Sequence, residues 1–266
     1  MNAPTVAPSA SASASVAASA ATLSKVPQVT AAFWAVKILA TTLGETGGDA
    51  VSMSMGLGYL LGSVVFAALF ALAVWMQIRA RAFHPLLYWA AILASTMVGT
   101  TLADFADRSL GIGYSGGAAL LLALLLAALW AWHRSLGSIA VESVAGPRAE
   151  GFYWLTLMCS QTLGTALGDW VADTAGLGYL GGIGVFALAL AVVAALHRWN
   201  AVSRTASFWA AFVLTRPLGA VFGDFLDKPL ASGGLALSRY SASLVLAGLI
   251  VALLWLLPQR AAQRTL

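Results

Sequence analysis

Hydrophobic residues fill eight long stretches of the chain, and short connections between them hold most of the charged residues. Each stretch is close to the ~20 residues that an α-helix needs to cross the apolar core of a bilayer. The pattern therefore predicts an all-α integral membrane fold with eight transmembrane helices. The expected spans are approximately 28–47, 56–78, 85–104, 111–132, 151–169, 176–196, 205–224 and 234–257.

Two kinds of stretch alternate along the chain. The even-numbered stretches, such as "GSVVFAALFALAVW" and "ALLLALLLAALWAW", are apolar on every side, which is typical of helices that face lipid. The odd-numbered stretches carry polar residues at four-residue intervals, and this spacing places them along one side of a helix. We therefore expect a bundle with the odd helices inside and the even helices outside.

An internal repeat of two helices, present four times, accounts for this alternation. In each repeat an aromatic pair ending in tryptophan is followed by a glycine ten residues after the tryptophan and an aspartate fifteen residues after it. The tryptophans are Trp34, Trp89, Trp154 and Trp209, and the glycines are Gly44, Gly99, Gly164 and Gly219. Because each repeat holds two helices, all four repeats run in parallel through the membrane.

The repeats also define the expected domain organisation. Residues 1–24 are rich in Ala and Ser and are expected to be a disordered tail. A single membrane domain follows at 25–258, and a short basic tail occupies 259–266. The repeats are expected at about 25–80, 81–140, 147–200 and 201–258.

Arginines concentrate in the connections between repeats, which predicts the orientation of the bundle. By the positive-inside rule, both termini and these connections are cytoplasmic in a bacterial inner (plasma) membrane. The repeated tryptophans are then expected to anchor the helices at the membrane interface, and the "GLGY" and "GIGY" sequences to pack the hairpins tightly. The outward hairpins are expected near 50–55, 105–110, 170–175 and 225–233.

Composition supports a membrane protein and excludes several other classes. Hydrophobic residues make up 60% of the chain and charged residues 9%, with a mean hydropathy of +0.86. The net charge of +4 is scattered rather than gathered into a patch, so nucleic acid is not an expected partner. The single cysteine, Cys159, excludes a thiolate metal site and an intrachain disulfide. No catalytic motif is present, so we expect no enzyme activity and no cofactor, while a homo-oligomer stays possible.

Acidic residues point to the candidate chemistry, because eight of the ten lie in pairs near the outer ends of the odd stretches. Acids inside a membrane are costly and usually mark ion paths or proton relays. Oxygen ligands without cysteine suit hard ions such as Mg²⁺, Mn²⁺ or Ca²⁺. The candidate ligands for a small cation or proton are Glu45, Asp49, Asp104, Asp107, Asp169, Asp173, Asp224 and Asp227.

Polar and basic residues support these acids on the same helix faces. Arg216 lies deep in an odd stretch and is expected in the interior, where it pairs with a carboxylate of another repeat or repels cations as a gate. Lys37 is expected either to face a carboxylate or to extend to the cytoplasmic side. The supporting set is Lys37, Thr41, Thr96, Gln161, Thr165 and Arg216.

A structural role for the acids is the alternative. Fifteen residues at ~1.5 Å per residue place each repeated aspartate about 22 Å from its tryptophan, near the outer interface. The carboxylates could then be hydrated hairpin ends, and Asp107 and Asp227 each precede a basic residue, which favours this role for them. The sequence thus leaves two functions open: a cation transporter or exporter, and a non-transporting membrane scaffold or stress-associated interaction protein.

The repeated pattern, and especially "FWAVKILATTLGETGGD", resembles one group of bacterial membrane proteins. These are the uncharacterised membrane-anchored proteins built of four tandem two-helix repeats of unknown function. The resemblance covers roughly residues 25 to 258. It implies the eight-helix architecture and no particular activity.

Overall fold

The structure is a computed structural model that describes residues 24–262. The expected tail at 1–24 lies outside the described residues except for Ser24. Eight α-helices occur within the described range, as the hydrophobic pattern predicts. They are α1 (Ala31–Asp49), α2 (Tyr59–Arg79), α3 (Pro85–Asp104), α4 (Tyr114–Leu136), α5 (Pro147–Asp169), α6 (Gly178–Arg198), α7 (Arg204–Asp227) and α8 (Arg239–Leu256).

The four odd-numbered helices form a closed inner ring in chain order, with α1 packed on α3, α3 on α5, α5 on α7 and α7 on α1. At each contact, the glycine ten residues after a repeated tryptophan meets the residue seven positions after the next tryptophan. The pairs are Gly44 with Thr96, Gly99 with Gln161, Gly164 with Arg216 and Gly219 with Thr41. A side chain at any of these glycines would collide with the neighbouring helix, so glycine sets the close approach of the ring.

The even-numbered helices lie outside the ring, and each packs on the odd helix of the next repeat. Thus α2 packs on α3, α4 on α5, α6 on α7 and α8 on α1. Six of the eight helices in residues 24–262 are long and apolar enough to cross a membrane. The other two, α1 and α5, are inner helices whose polar stripes lower their hydropathy. The alternation seen in the sequence therefore separates inner from outer helices.

The hairpins of the first three repeats share one backbone conformation. The odd helix continues into a π-helical turn (Ala50–Ser54, Phe105–Ser109 and Trp170–Thr174), and the "GLGY" or "GIGY" sequence then reverses the chain. Both glycines of each sequence have φ between +65° and +79°, and open space surrounds them. The expectation of tight packing was wrong, because these positions require glycine for its left-handed backbone conformation.

Aromatic side chains fill the opposite end of the ring. Trp89, Trp154 and Trp209 are only 3%, 3% and 4% exposed, so they do not anchor the helices at an interface as expected. Outer helices cover two of them: Phe70 of α2 packs edge-on against Trp154, and Trp132 of α4 packs against Trp209, while Phe33 of α1 packs against Trp89. The interface prediction failed because it ignored the neighbouring helices, which bury these rings.

Segments from both ends of the described chain pack at this aromatic end. Val26 belongs to the same buried cluster as the aromatic rings. The backbone N–H of Gln28 donates to the carbonyl of Arg260 at 2.8 Å, and that of Ala262 donates to Val26 at 2.8 Å. The packed part of the chain therefore extends to residue 262, beyond the expected domain end at 258.

Candidate functional site

Arg216 and Glu45 form a buried ion pair on the axis of the inner ring. Arg216 is 0% exposed, and its Nη1 lies 3.1 Å from Oε2 of Glu45. Its Nη2 donates to the hydroxyls of Thr100 and Thr165, both at 2.6 Å. The two guanidinium nitrogens also approach the carbonyls of Thr41 and Thr96, at 3.4 and 3.3 Å. One arginine of the fourth repeat thus contacts all three other repeats.

The sequence of the repeats explains why one arginine fits at this position. The equivalent positions in the other three repeats hold uncharged residues: Thr41, Thr96 and Gln161. Gly164 lies directly against the Arg216 side chain and leaves room for it. The stripe residues make short polar contacts of their own: the Thr41 hydroxyl lies 3.2 Å from the carbonyl of Thr215, and Gln161 Nε2 lies 3.3 Å from Ser95 Oγ.

Lys37 lies farther toward the aromatic end than Arg216, and among the described residues it neither pairs with a carboxylate nor reaches the surface. Its side chain is 0% exposed, and its Nζ sits 4.1 Å from the centroid of the Phe212 ring. This Nζ has no hydrogen-bond partner among residues 24–262, and it contacts the face of the Phe212 ring instead. The two buried basic side chains, Lys37 and Arg216, lie between the acids and the aromatic end.

The four repeated aspartates lie at the other end of the ring and are all buried, with exposures from 0% to 4%. Two basic residues each bridge two of these aspartates, and Arg239 adds a contact of 3.7 Å to Asp49. Lys228 Nζ lies 2.7 Å from Asp49 and 2.9 Å from Asp224. Arg108 lies 2.9 Å from Asp104 and 3.9 Å from Asp169. The aspartates are therefore grouped in two pairs, each bridged by one cation.

Lys228 follows the last residue of α7 and is the more enclosed of these two cations. Burial lowers the pKa of Lys228, but the carboxylates of Asp224 and Asp49 outweigh this effect and hold the pKa above its usual value. The lysine is therefore a positive charge placed between two acids.

Glu45, Asp49 and Asp224 form the tightest group of acids. One carboxylate oxygen from each residue lies within 4.8 Å of the other two. Asp49 Oδ1 is also buried without a hydrogen-bond partner in the described part of the chain, and so is Asp104 Oδ2. Buried oxygens of this kind are costly unless a further group contacts them.

The second acids of the other repeats are placed differently. Asp173 is exposed, and Asp107 is half-buried and faces Gly117 of α4. Asp227 is 8% exposed and pairs with Arg239 at 3.0 Å, so the expected solvated role for Asp227 was wrong. Asp107 and Asp173 thus do not join the group at Glu45.

Three basic residues of the site were not identified from the sequence: Arg108, Lys228 and Arg239. Arg108 and Lys228 occupy the same repeat position, nineteen residues after Trp89 and Trp209, and this shared spacing could have identified them. Their positions next to Asp107 and Asp227 instead favoured hydrated hairpin ends. The side chains fold back by one helical turn and reach aspartates of two repeats.

Comparison with known protein families accounts for the repeat. A family described as "Repeat of Unknown Function (DUF347)" matches four times in tandem, at residues 32–83, 87–138, 152–202 and 207–261. The chain belongs to this family. Each DUF347 match contains one inner and one outer helix, which confirms the four tandem repeats seen in the sequence. No curated protein and no solved structure matches the chain.

Proposed function

We propose that this DUF347 protein transports a small cation, either a divalent metal such as Mn²⁺ or protons in exchange for one. In this proposal eight helices span a bacterial inner membrane as four parallel repeats, with both termini cytoplasmic. One observation carries it: Glu45, Asp49 and Asp224, from two different repeats, place buried carboxylate oxygens within 4.8 Å of one another.

The spacing of these oxygens suits a divalent cation. Oxygen ligands lie ~2.0–2.6 Å from Mg²⁺ or Ca²⁺, so opposed ligands around one ion are about 4–5 Å apart. The Lys228 ammonium already contacts two of the three acids, at 2.7 and 2.9 Å. We infer that an arriving cation takes the place of this ammonium, and that the long lysine side chain swings outward.

The route beyond the acids requires a conformational change. Arg216 blocks the axis next to Glu45, and its charge repels a cation. Lys37 lies farther along the same axis, toward the aromatic end. Release toward the aromatic end therefore requires the inner helices to separate where Arg216 is held. Arg216 is thus proposed as a gate whose pairing with Glu45 responds to the bound cation.

A membrane scaffold is the second candidate function, and the basic partners favour it. Each repeated aspartate has a basic nitrogen within 3.9 Å, so ion pairing alone could explain why the acids are buried there. In that case the acids hold the hairpin ends of the four repeats together, and no ion moves.

Cation flux into proteoliposomes separates the two candidates. The parent protein is expected to move Mn²⁺ in the presence of a proton gradient, and Glu45→Gln and Asp49→Asn are expected to abolish this flux while remaining folded. These substitutions remove the charge but retain size and hydrogen-bonding capacity.

A matched control for this experiment is Glu142→Gln in the central connection. Glu142 lies at the aromatic end, away from the site, and its removal should leave the flux unchanged. Glu150, although near in sequence, is unsuitable because it is buried and pairs with Lys25 at 2.8 Å. Parent-like flux in both site variants, or no flux of Mn²⁺, Mg²⁺ or Ca²⁺ in the parent, would contradict the transporter.

A further inference from the structure

A cavity of about 750 Å³ lies at the aromatic end, between the second half of α6 and the first halves of α7 and α1. This volume falls within the ~300–1,000 Å³ typical of pockets that hold a small molecule. Its apolar wall includes Trp34, Leu190, Val193 and Ala211. The cavity is separate from the acids, which lie at the opposite end of the ring.

The side chains around this cavity differ from some of their equivalents in the other repeats. Thirty-six residues after the repeated tryptophan, the first three repeats carry Phe70, Leu125 and Leu190. Phe70 of the first repeat packs against Trp154 and fills the equivalent space there. Leu190 is smaller, and Trp34, the tryptophan beside it, is the one of the four that remains partly exposed.

A second position shows the same difference. Forty-three residues after the tryptophan, the second repeat has Trp132, which is 0% exposed and packs against Trp209. The third repeat has the exposed His197 at this position, and His197 lines the cavity. At these two positions the third repeat therefore lacks the Phe that covers Trp154 and the Trp that covers Trp209.

The lining is amphipathic in a way that fits a lipid. The apolar part of the lining comes from α6, α7 and α1, and the outer face of α6 is itself apolar, with Leu188 67% exposed. Arg204 and His197 lie at the polar mouth, and the Ser207 hydroxyl is buried there without a hydrogen-bond partner in residues 24–262. Glu142 also lines the cavity and repels a phosphate, so an anionic group is expected beside Arg204 and His197 instead.

We propose that this cavity binds one anionic phospholipid. An acyl chain lies along Trp34, Leu190 and Val193, and the phosphate is held by Arg204 and His197. Basic pockets between membrane helices are established sites for anionic headgroups. This inference rests on the membrane location that the six apolar helices indicate, and it is independent of whether the acids transport a cation.

Native mass spectrometry of the full-length protein in detergent, titrated separately with phosphatidylglycerol and phosphatidylcholine, tests the proposal. The parent is expected to retain one phosphatidylglycerol more tightly than phosphatidylcholine. The double variant Leu190→Phe/His197→Trp fills the cavity with rings related to Phe70 and Trp132, and should lose this lipid. Leu188→Phe adds a ring on the outer face of the same helix and should bind as the parent does.

Arg204→Gln tests the headgroup contact independently, in case the double variant fails to fold. Removing one basic residue near the headgroup should weaken phosphatidylglycerol binding about fivefold and leave phosphatidylcholine unchanged. Equal binding of the two lipids by the parent would overturn the proposal. Parent-like retention of phosphatidylglycerol by either the filled variant or Arg204→Gln would also overturn it.

Discussion

Replacement of Arg216 by glutamine should be one of the most damaging single changes in the bundle. Its guanidinium contacts Glu45, Thr100 and Thr165 through side chains and two carbonyls of other repeats. Arg216→Gln leaves the Glu45 carboxylate, itself 3% exposed, as an unpaired buried charge. Loss of one partner of a buried ion pair costs ~3–5 kcal/mol of unfolding free energy.

The corresponding fall in melting temperature is roughly 6–20 °C, from the ~2–4 °C per kcal/mol of proteins of this size. It can be measured by thermal unfolding of the purified protein in a mild detergent. Arg198→Gln is the matched control, since Arg198 is exposed at the end of α6 and its replacement should change stability by no more than ~0.5 kcal/mol.

The double variant Glu45→Gln/Arg216→Gln tests the physical reason directly. Because it removes both charges, it should be less destabilised than the sum of the two single variants, and the difference is the coupling energy of the pair. The reasoning is refuted if Arg216→Gln is as stable as Arg198→Gln, or if the double variant shows no coupling.

Two further predictions concern packing and topology. Gly99→Ala should destabilise the protein, because the added methyl meets the backbone of Gln161 at 2.8 Å. Gly184→Ala in α6 is the control: its methyl meets nothing within 4 Å, so this change should be neutral or slightly stabilising. Equal melting temperatures of the two variants would contradict the close approach of the inner helices. In a Cys159→Ala background, an impermeant thiol reagent added outside should label Ser109→Cys at a hairpin but not Ser203→Cys between repeats, and the reverse result would overturn the proposed orientation.

The architecture was more accessible from the sequence than the site. The alternation of striped and uniformly apolar stretches predicted eight helices and separated inner from outer helices, because burial by protein and burial by lipid select different residues. The repeated glycines were visible, but their contacts with the next repeat depend on the ring closing in chain order. That closure is a tertiary property which local spacing does not contain.

The site shows where local reasoning ends. The burial of Arg216 could be predicted from its position deep in a hydrophobic stretch. Its pairing with Glu45 could not, because that pairing depends on the contact between the first and fourth repeats. Lys228 was not recognised as part of the site, because its contact with Asp49 joins the fourth repeat to the first. Trp89 was assigned to the interface because only its own helix was considered. Each of these errors involves a partner from a distant part of the chain.

Equilibrium binding of Mn²⁺ to the purified protein tests the central claim most directly, because the claim is that a cation replaces the Lys228 ammonium between Asp49 and Asp224. The account predicts that the parent binds one ion, that Asp49→Asn loses it, and that Lys228→Gln binds it more tightly because its two acids no longer have a competing ammonium. Failure of both the parent and Lys228→Gln to bind Mn²⁺, or equal binding by Asp49→Asn and the parent, would contradict the account.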